Sequence, residues 1–376
     1  MKFIHISDLH LGKRVNEFSM LDDQKYVLEQ IIKEAETADA VLIAGDIYDK
    51  SIPPAEAVEL FDTFITKLSQ MNIKIFAISG NHDSAKRIAF GSDIMQKGGV
   101  YFSHVYNGKI EKHQLEDEHG KVNIYMLPFV KPAVIKGFFE EGEISDDYNC
   151  AIKAVLDKAD VDFSQRNIII AHQFVTGAER SESEEASVGG VDAVSADLFK
   201  NFDYTALGHI HKPQNMGKNI RYCGTPLKYS FSEADNKNSM TVVEIKEKGD
   251  IEISFVPFVP LHDMREIKGT YDFLAERKNY ENTAVEDYLH VTLTDDEEVI
   301  DAIGKLRSIY PNIMKIDYEN IRTSENKDFL NEKMDLDKNP MDLFREFYEF
   351  QNNSEMTEEQ AEEVKRLWEM TEEESI

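Results

Sequence analysis

Six short apolar runs in the N-terminal two thirds of the chain constrain its fold more than any other feature. Val, Ile, Leu and Phe dominate these runs and seldom alternate with polar residues, which is typical of strands buried on both faces of a sheet. Amphipathic stretches at 22–35 and 53–71 separate the first three runs and predict helices. Alternation of strand and helix favours a layered α/β domain. The six runs are 2–7, 40–46, 74–80, 123–129, 167–172 and 204–209.

The chain has 376 residues, which is too many for one compact core, and its pattern predicts three parts. Residues 1–260 contain the six runs and are predicted to form the layered domain. The segment 256–261, VPFVPL, contains two prolines and is predicted to be a linker. Residues 261–325 read as helix, strand, helix and strand, the first helix at 266–279, which indicates a small α+β domain. Residues 326–376 are predicted to form a linker and two short helices.

The charge of the chain argues at first against a nucleic-acid partner. Lys and Arg total 42 and Asp and Glu total 71, which gives a net charge of −29, whereas phosphate contacts usually come from basic side chains. Residues 336–376 hold 13 acidic and 4 basic residues and so carry −9 of this charge. Bound metal ions can also supply a positive field that the sequence does not show. Bulk charge therefore does not exclude DNA.

Cysteine content and hydropathy predict a cytoplasmic protein. Only Cys150 and Cys223 occur, and their spacing is not that of a metal site, so a reducing compartment is expected. No run approaches the roughly 20 apolar residues of a membrane span. The first ten residues, MKFIHISDLH, lack the apolar stretch of a signal peptide.

Metal-binding residue types directly follow five of the six apolar runs. The carboxyl ends of parallel strands meet at one edge of an α/β sheet, where ligands bind. Residues two apart in an extended segment point the same way, so Asp8 and His10 can converge on one centre. Glycines at three of these strand ends, Gly45, Gly80 and Gly208, allow the backbone to turn sharply. Seven ligands are predicted: Asp8, His10, Asp46, Asn81, His172, His209 and His211.

Seven nitrogen and oxygen donors exceed the needs of one ion and favour two divalent ions that share Asp46. Two such ions contribute four positive charges and Asp8 and Asp46 return two negative ones, so the site suits phosphate oxygens. Two metals about 3.5–4 Å apart can stabilise both the attacking and the leaving oxygen and activate a water. His82 remains as a general acid for the leaving group, and Asp83 is predicted to orient it.

Other residues near the strand ends admit more than one interpretation. Asp49 is either a loop cap or a residue that supports the ligands from behind. Lys86 and Arg87 either contact phosphates or simply begin a surface helix. His5 lies inside the first apolar run and is predicted to pack in the core rather than to bind metal.

The sequence resembles the calcineurin-like metallophosphoesterase superfamily, whose blocks are DxH, GDxxD, GNH(D/E), H and GHxH. Within it, the chain is most similar to the nuclease subunits of bacterial ATPase–nuclease complexes. The resemblance extends across SDLHLGK, AGDIYDKSIPP, ISGNHDS, AHQFV, GHIHKPQ and CGTPLKYSFSE. It implies a β-sandwich flanked by helices, with a small capping domain and C-terminal helices. It also implies two metal ions, most simply Mn2+, with His82 catalytic. One ion would bind Asp8, His10, Asp46 and His211, and the other Asp46, Asn81, His172 and His209.

The same resemblance implies partners. The C-terminal helices would dock on an SMC-type ATPase through aromatic faces, although they could instead fold back on their own domain. The candidate anchors are Phe344, Phe347, Tyr348 and Trp368. A homodimer within a heterotetramer is also implied, without any residue pattern that demonstrates it.

The implied activity is that of a DNA nuclease in repair, recombination and replication. It would act as an exonuclease on double-stranded ends and as an endonuclease on single strands and hairpins. The alternative is a small-molecule phosphodiesterase or phosphatase with the same ligands. A scaffold without catalysis is disfavoured because it has no use for seven donors and a free histidine.

Overall fold

A computed structural model describes residues 1–181, 184, 193–297 and 299–319, together with positions 344, 345, 348, 356, 357, 360, 361, 364 and 366. The chain divides into two compact units, Met1–Arg265 and Glu266–Ile376. The three-part division at 260 and 325 stays a prediction. Among the described residues, no helix has the length and apolar character needed to cross a membrane.

The first unit contains two six-stranded sheets. The strand order of the first sheet is Ile251–Pro257, Ser239–Ile245, Lys2–Ile6, Ala40–Ala44, Lys74–Ile78 and Val100–Phe102. The last four of these strands are parallel to one another, and the first two pair antiparallel with their neighbours. The predicted linker at 256–261 is therefore wrong at its start, because the edge strand continues to Pro257. An edge strand tolerates proline because one row of its amides has no partner strand.

The second sheet has a parallel centre with an antiparallel strand at each edge. Its order is Gln214–Asn215, Ile220–Tyr222, Tyr204–Gly208, Arg166–His172, Gly120–Leu127 and Glu111–Asp117. All six apolar runs of the sequence therefore contain strands. They are buried along almost their whole length, as the lack of alternation predicted.

The two sheets pack face to face, and helices cover their outer surfaces. Phe3, Leu42 and Phe76 of the first sheet share one core cluster with Ile124 and Ile168 of the second, and all five are fully buried. Helices Leu21–Ala35 and Ala55–Gln70 contact each other, and the second packs on strand Lys74–Ile78. Helix Tyr148–Lys158 shares a separate cluster with Tyr125, Leu127 and Ile169 of the second sheet. The predicted layered α/β fold is confirmed.

Shorter elements complete the first unit. Over the part of this unit that the structure describes, the remaining helices are Ala85–Ile88, Ser92–Met95 and Pro132–Lys136, with 3-10 turns at Gln96–Gly98, Ala196–Leu198 and Phe231–Glu233. Two-residue strands pair as Arg14–Val15 with Phe18–Ser19 and as Phe174–Val175 with Ala193–Val194.

The second unit is built on a three-stranded sheet with the order Met264–Gly269, Tyr288–Leu293 and Ile313–Tyr318. The sequence-based helix at 266–279 is wrong in its first residues, which continue a strand of alternating exposure. The helix begins only after Thr270, whose hydroxyl accepts a hydrogen bond from the Phe273 amide at 3.3 Å. Residue type does not alternate before Thr270, because the apolar residues of this strand, Met264 and Ile267, lie three positions apart, so the sequence offered no period of two to indicate a strand. Between residues 266 and 319, the described helices are Tyr271–Ala275, Arg277–Tyr280 and Ala302–Leu306.

Only part of the predicted C-terminal helices is described. Phe344 and Tyr348 are helical, whereas Phe347 and Trp368 lie outside the described residues. Thr357 and Gln360 form a capping box, the pattern that begins a helix: the Thr357 amide donates to Gln360 Oε1 at 3.0 Å, and the Gln360 amide donates to Thr357 Oγ1 at 3.3 Å.

Candidate metal centre

The seven predicted ligands meet at one edge of the sandwich. The loops after neighbouring strands are tied together there, since the Asp8 amide donates to the Gly45 carbonyl and the His10 amide to the Asp46 carbonyl, both at 3.0 Å. The His209 amide, from the second sheet, donates to Asp8 Oδ1 at 3.0 Å. Both sheets therefore contribute to one site.

The backbone at this edge adopts a conformation that side chains ordinarily avoid. Nine non-glycine residues have positive φ in the described part of the chain, and four of them are predicted ligands. These are Asp8 (52°), His10 (43°), Asp46 (49°) and His209 (101°). Such backbone costs of order 1–3 kcal/mol per residue and concentrates at functional sites.

Glycine is required where the loops approach the ligands most closely. Gly45 has φ +89°, and a Cβ built there would collide with the ring of His172. A Cβ at Gly80 would collide with the carboxylate of Asp46. The prediction that glycines let the backbone come close to the site therefore has a steric explanation at both positions.

The donor atoms form two groups joined by Asp46. In one group, the Nε2 atoms of His10 and His211 lie 3.2 Å apart, and Asp8 completes a cluster of three ligand atoms within 4.8 Å. In the other group, Asn81 Oδ1 lies 2.9 Å from both His172 Nε2 and His209 Nδ1. Asp46 Oδ2 lies 3.3 Å from His172 Nε2 and 3.9 Å from His10 Nε2, between the groups.

The hydrogen-bonding pattern of the imidazoles fits cations at these two positions. His172 Nδ1 lies 2.7 Å from the Ala44 carbonyl, which can only accept, so this nitrogen carries its proton. The Nε2 lone pair of a neutral His172 then faces Asp46 Oδ2 and Asn81 Oδ1, and all three atoms are acceptors. Converging acceptors are what a divalent ion binds, and carboxylate, amide and imidazole donors together suit such ions.

Burial and charge shift the pKa values of these groups strongly. Burial raises the pKa of Asp8 to about 6. Burial alone would raise the pKa of Asp46 as well, but the imidazole of His172 holds it below its usual range. Burial opposes the charged form of His172, yet Asp46 raises the pKa of His172 to about 9. Asp46 is thus held in its anionic form and stabilises positive charge beside it.

His82 lies at the rim of this cluster. Its ring meets the ring of His10 edge to face with centroids 4.9 Å apart, and its amide donates to Asp46 Oδ1 at 2.9 Å. Its Nδ1 lies 3.1 Å from the carbonyl oxygen of Asp49 and must donate to it. The Asp49 carboxylate accepts from Lys13 Nζ at 2.7 Å, and its Oδ1 lies 3.8 Å from Nδ1 of the predicted ligand His10.

The predicted contact between Asp83 and the His82 ring needs correction. The Asp83 carboxylate instead accepts hydrogen bonds from the amides of Ile47, Tyr48 and Gly80 at 2.9–3.1 Å. Although Asp83 directly follows His82 in the sequence, its carboxylate is bound to these three amides and not to the His82 ring. The amides lie in the loops that follow two neighbouring strands of the first sheet. Asp83 holds two strand-end loops together, and the Asp49 carbonyl orients the His82 ring.

Three further residues support the ligands and were not predicted. Glu233 is 0% exposed and accepts from His211 Nδ1 at 2.9 Å. Tyr229 donates its hydroxyl proton to the Leu9 carbonyl at 2.5 Å, and Gln24 donates to the His10 carbonyl at 2.8 Å. Gln24 lies in a helix, and the other two lie within CGTPLKYSFSE, which carried only a family resemblance. No spacing in the sequence indicates these long-range contacts.

The remaining candidates are not part of the groups of ligand atoms. His5 is fully buried with its Nδ1 2.8 Å from the Tyr204 hydroxyl, as expected of a core residue. Lys86 and Arg87 line a cavity of about 430 Å³ together with Tyr48 and Phe61.

The chain is similar to known proteins along nearly its whole length. Residues 1–213 match the family model of calcineurin-like phosphoesterases, and residues 260–352 match the "Type 5 capsule protein repressor C-terminal domain" model. Two staphylococcal relatives are named as D subunits of the SbcCD nuclease. The relative from Staphylococcus epidermidis is 32% identical over 98% of each chain, and that from Staphylococcus saprophyticus is 35% identical over 84% of each.

A more distant likeness is to a solved structure, TT1561 of Thermus thermophilus. It aligns with 68% of this chain and 98% of its own at 14% identity and a TM-score of 0.36. At that distance it supports no argument about function.

Proposed function

We propose, from the premise that this chain belongs to the calcineurin-like phosphoesterase family and to the family of D subunits of SbcCD nucleases, that it is a metal-dependent DNA nuclease. It is a hydrolase of phosphodiester bonds and the SbcD-type component of an SbcCD complex. The observation that carries this proposal is the convergence of seven nitrogen and oxygen donors. They converge in a chain that matches a relative named as a nuclease subunit along 98% of its length.

The site uses divalent metal ions, and we propose two, with Mn2+ as the physiological ion. Asp8, His10, Asp46 and His211 would hold one ion, and Asp46, Asn81, His172 and His209 the other. When bound, such ions stabilise charge on the phosphoryl oxygens and lower the pKa of a bound water toward neutrality. The protein fixes the ligand directions through the strained backbone at Asp8, Asp46 and His209.

His82 is proposed to donate the proton to the leaving oxygen. The Asp49 carbonyl keeps a proton on Nδ1, so Nε2 is the nitrogen that gives up a proton and regains it in each cycle. Asp83, which the sequence predicted to be catalytic, would act by holding the loop that carries His82. This role requires no contact between Asp83 and substrate.

The alternative function, a small-molecule phosphodiesterase or phosphatase, is not favoured. It would use the same ligands, but the relatives that match 98% and 84% of the chain are named nucleases. Purified protein incubated with MnCl2 should cut linear duplex and hairpin DNA, and EDTA should abolish cutting. Turnover of a generic phosphomonoester without any DNA cleavage would support the alternative instead.

The complex partner is proposed to be an SbcC-like SMC-type ATPase that binds the C-terminal helices. Phe344 and Tyr348 lie four residues apart in helical backbone, so their side chains share one face, as helix-in-groove anchors do. Deleting 340–376 should remove co-purification with the ATPase and spare metal-dependent cleavage of short DNA. Retained co-purification would place the contact elsewhere.

A homodimer is proposed to form through an apolar patch of the first unit. Phe90 is 81% exposed, Ile94 76% and Ile52 69%, which is unusual for large apolar side chains. Both chain neighbours of Ile52 line the same cavity as Phe90, so the exposed side chains belong to one region. Changing Phe90 and Ile94 to Glu should halve the mass measured by light scattering. An unchanged mass would exclude this patch as the dimer contact.

A further inference from the structure

The two halves of the metal centre hold their histidines by different means. His172 donates its Nδ1 proton to a neutral acceptor, the Ala44 carbonyl, at 2.7 Å. His211 instead has Nδ1 2.9 Å from a carboxylate oxygen, Glu233 Oε1. A carboxylate behind a ligating imidazole fixes its tautomer and raises its basicity more than a neutral carbonyl does.

Glu233 is itself held in place by the surrounding chain. Glu233 is 0% exposed, and it is the last residue of the 3-10 turn Phe231–Glu233. Oε2 accepts from the Tyr229 amide at 2.8 Å, and Oε1 also accepts from the Ser181 hydroxyl at 2.9 Å. A buried carboxylate with partners on both oxygens has a fixed position, so it fixes the His211 ring in turn.

From these contacts we infer that Glu233 is a positioning residue that sets the affinity of one ion only, the ion held by Asp8, His10 and His211. Glu233 keeps the proton of His211 on Nδ1, which leaves the Nε2 lone pair directed at the cluster. The ion held by Asn81, His172 and His209 has no such support from Glu233. This inference rests on the proposed two-metal site and assigns an unequal role to its two positions.

The test is a calorimetric titration of metal-free protein with MnCl2. In Glu233→Gln, one of the two binding constants should fall by about 10–100-fold while the other stays within about twofold. His211→Gln should weaken the same ion and so identify it. Equal loss at both ions, or no loss at either, would overturn the inference.

A matched control separates positioning from a general effect on folding. Glu111 accepts from His104 Nδ1 at the same 2.9 Å, and its other histidine partner is His113, so it pairs with histidines that are not among the seven ligands. Glu111→Gln should therefore leave both constants unchanged. In EDTA, Glu233→Gln should melt within a few degrees of Glu111→Gln; a much larger drop would make Glu233 a structural residue and overturn the inference.

Glu233→Asp keeps the test decisive should Glu233→Gln not fold. It retains the charge but withdraws the oxygen from Nδ1 by one methylene, so the same single ion should weaken. Unchanged binding in this variant would count against the inference. If wild-type protein took up no manganese at all, the proposed function itself would fail.

Discussion

The interior of the two sheets and their shared carboxyl edge are made from the same strands but follow opposite rules. In the interior, residues such as Phe3, Leu42 and Ile168 are apolar and fully buried. A few residues further along, the edge holds buried ionisable groups such as Asp8 and Asp46 on backbone with positive φ. The comparison indicates that the interior mainly provides stability and the edge provides the chemistry. Substitutions at the edge should therefore lower activity, and substitutions in the interior should lower the free energy of unfolding.

The largest separation is expected at His82. His82→Ala removes the proposed proton donor but none of the seven ligands, so hydrolysis of DNA should fall by about 10²–10⁴-fold. Manganese stoichiometry and melting temperature should match those of the wild type. Loss of bound manganese would mean that His82 is a ligand and that the edge does not divide roles as described.

The converse change belongs in the interior. Ile170 is fully buried between the sheets, and Ile170→Ala should lower the free energy of unfolding by about 2–5 kcal/mol in urea denaturation. The rate of DNA cleavage by the folded fraction should change little, since Ile170 belongs to the core cluster between the sheets and is not one of the seven ligands. A greatly lowered rate in fully folded protein would show that interior packing sets the ligand geometry directly.

The smallest effect concerns the pH dependence of stability and involves His5, a histidine of the interior. Burial lowers the pKa of His5 to about 3, so the folded protein keeps it neutral while the unfolded chain takes up a proton below about 6.5. Stability is therefore present above pH 6.5 and lost as the pH falls, by about 2 kcal/mol at pH 5.

His5→Asn should flatten this pH dependence, because an amide does not titrate and can still pair with the Tyr204 hydroxyl. The measurement is the melting temperature of metal-free protein between pH 7 and 5. An identical slope in wild type and variant would show that other groups, including those of the edge, cause the acid sensitivity.

The same contrast explains what the sequence could reveal. Apolar runs without alternation indicated the strands, and ligand types such as Asp8 and His172 stand at or directly after the ends of these runs, so both could be predicted from local sequence. The partners of His82 and His211 could not, because they depend on loop backbone that brings Asp49 and Glu233 across 33 and 22 positions of the chain. The strand Met264–Gly269 was missed because its apolar residues, Met264 and Ile267, lie three positions apart and because it ends directly at a helix cap.

The hydrogen bond from the His209 amide to Asp8 joins residues that lie 201 positions apart in the sequence, and this separation has a consequence for folding during synthesis. During synthesis, the first sheet's ligands leave the ribosome long before strand Tyr204–Gly208 exists. A nascent chain therefore has no complete ion site until the segment with His209 and His211 has emerged, and full metal binding follows the packing of the second sheet on the first. The nuclease is inert until its sandwich has closed.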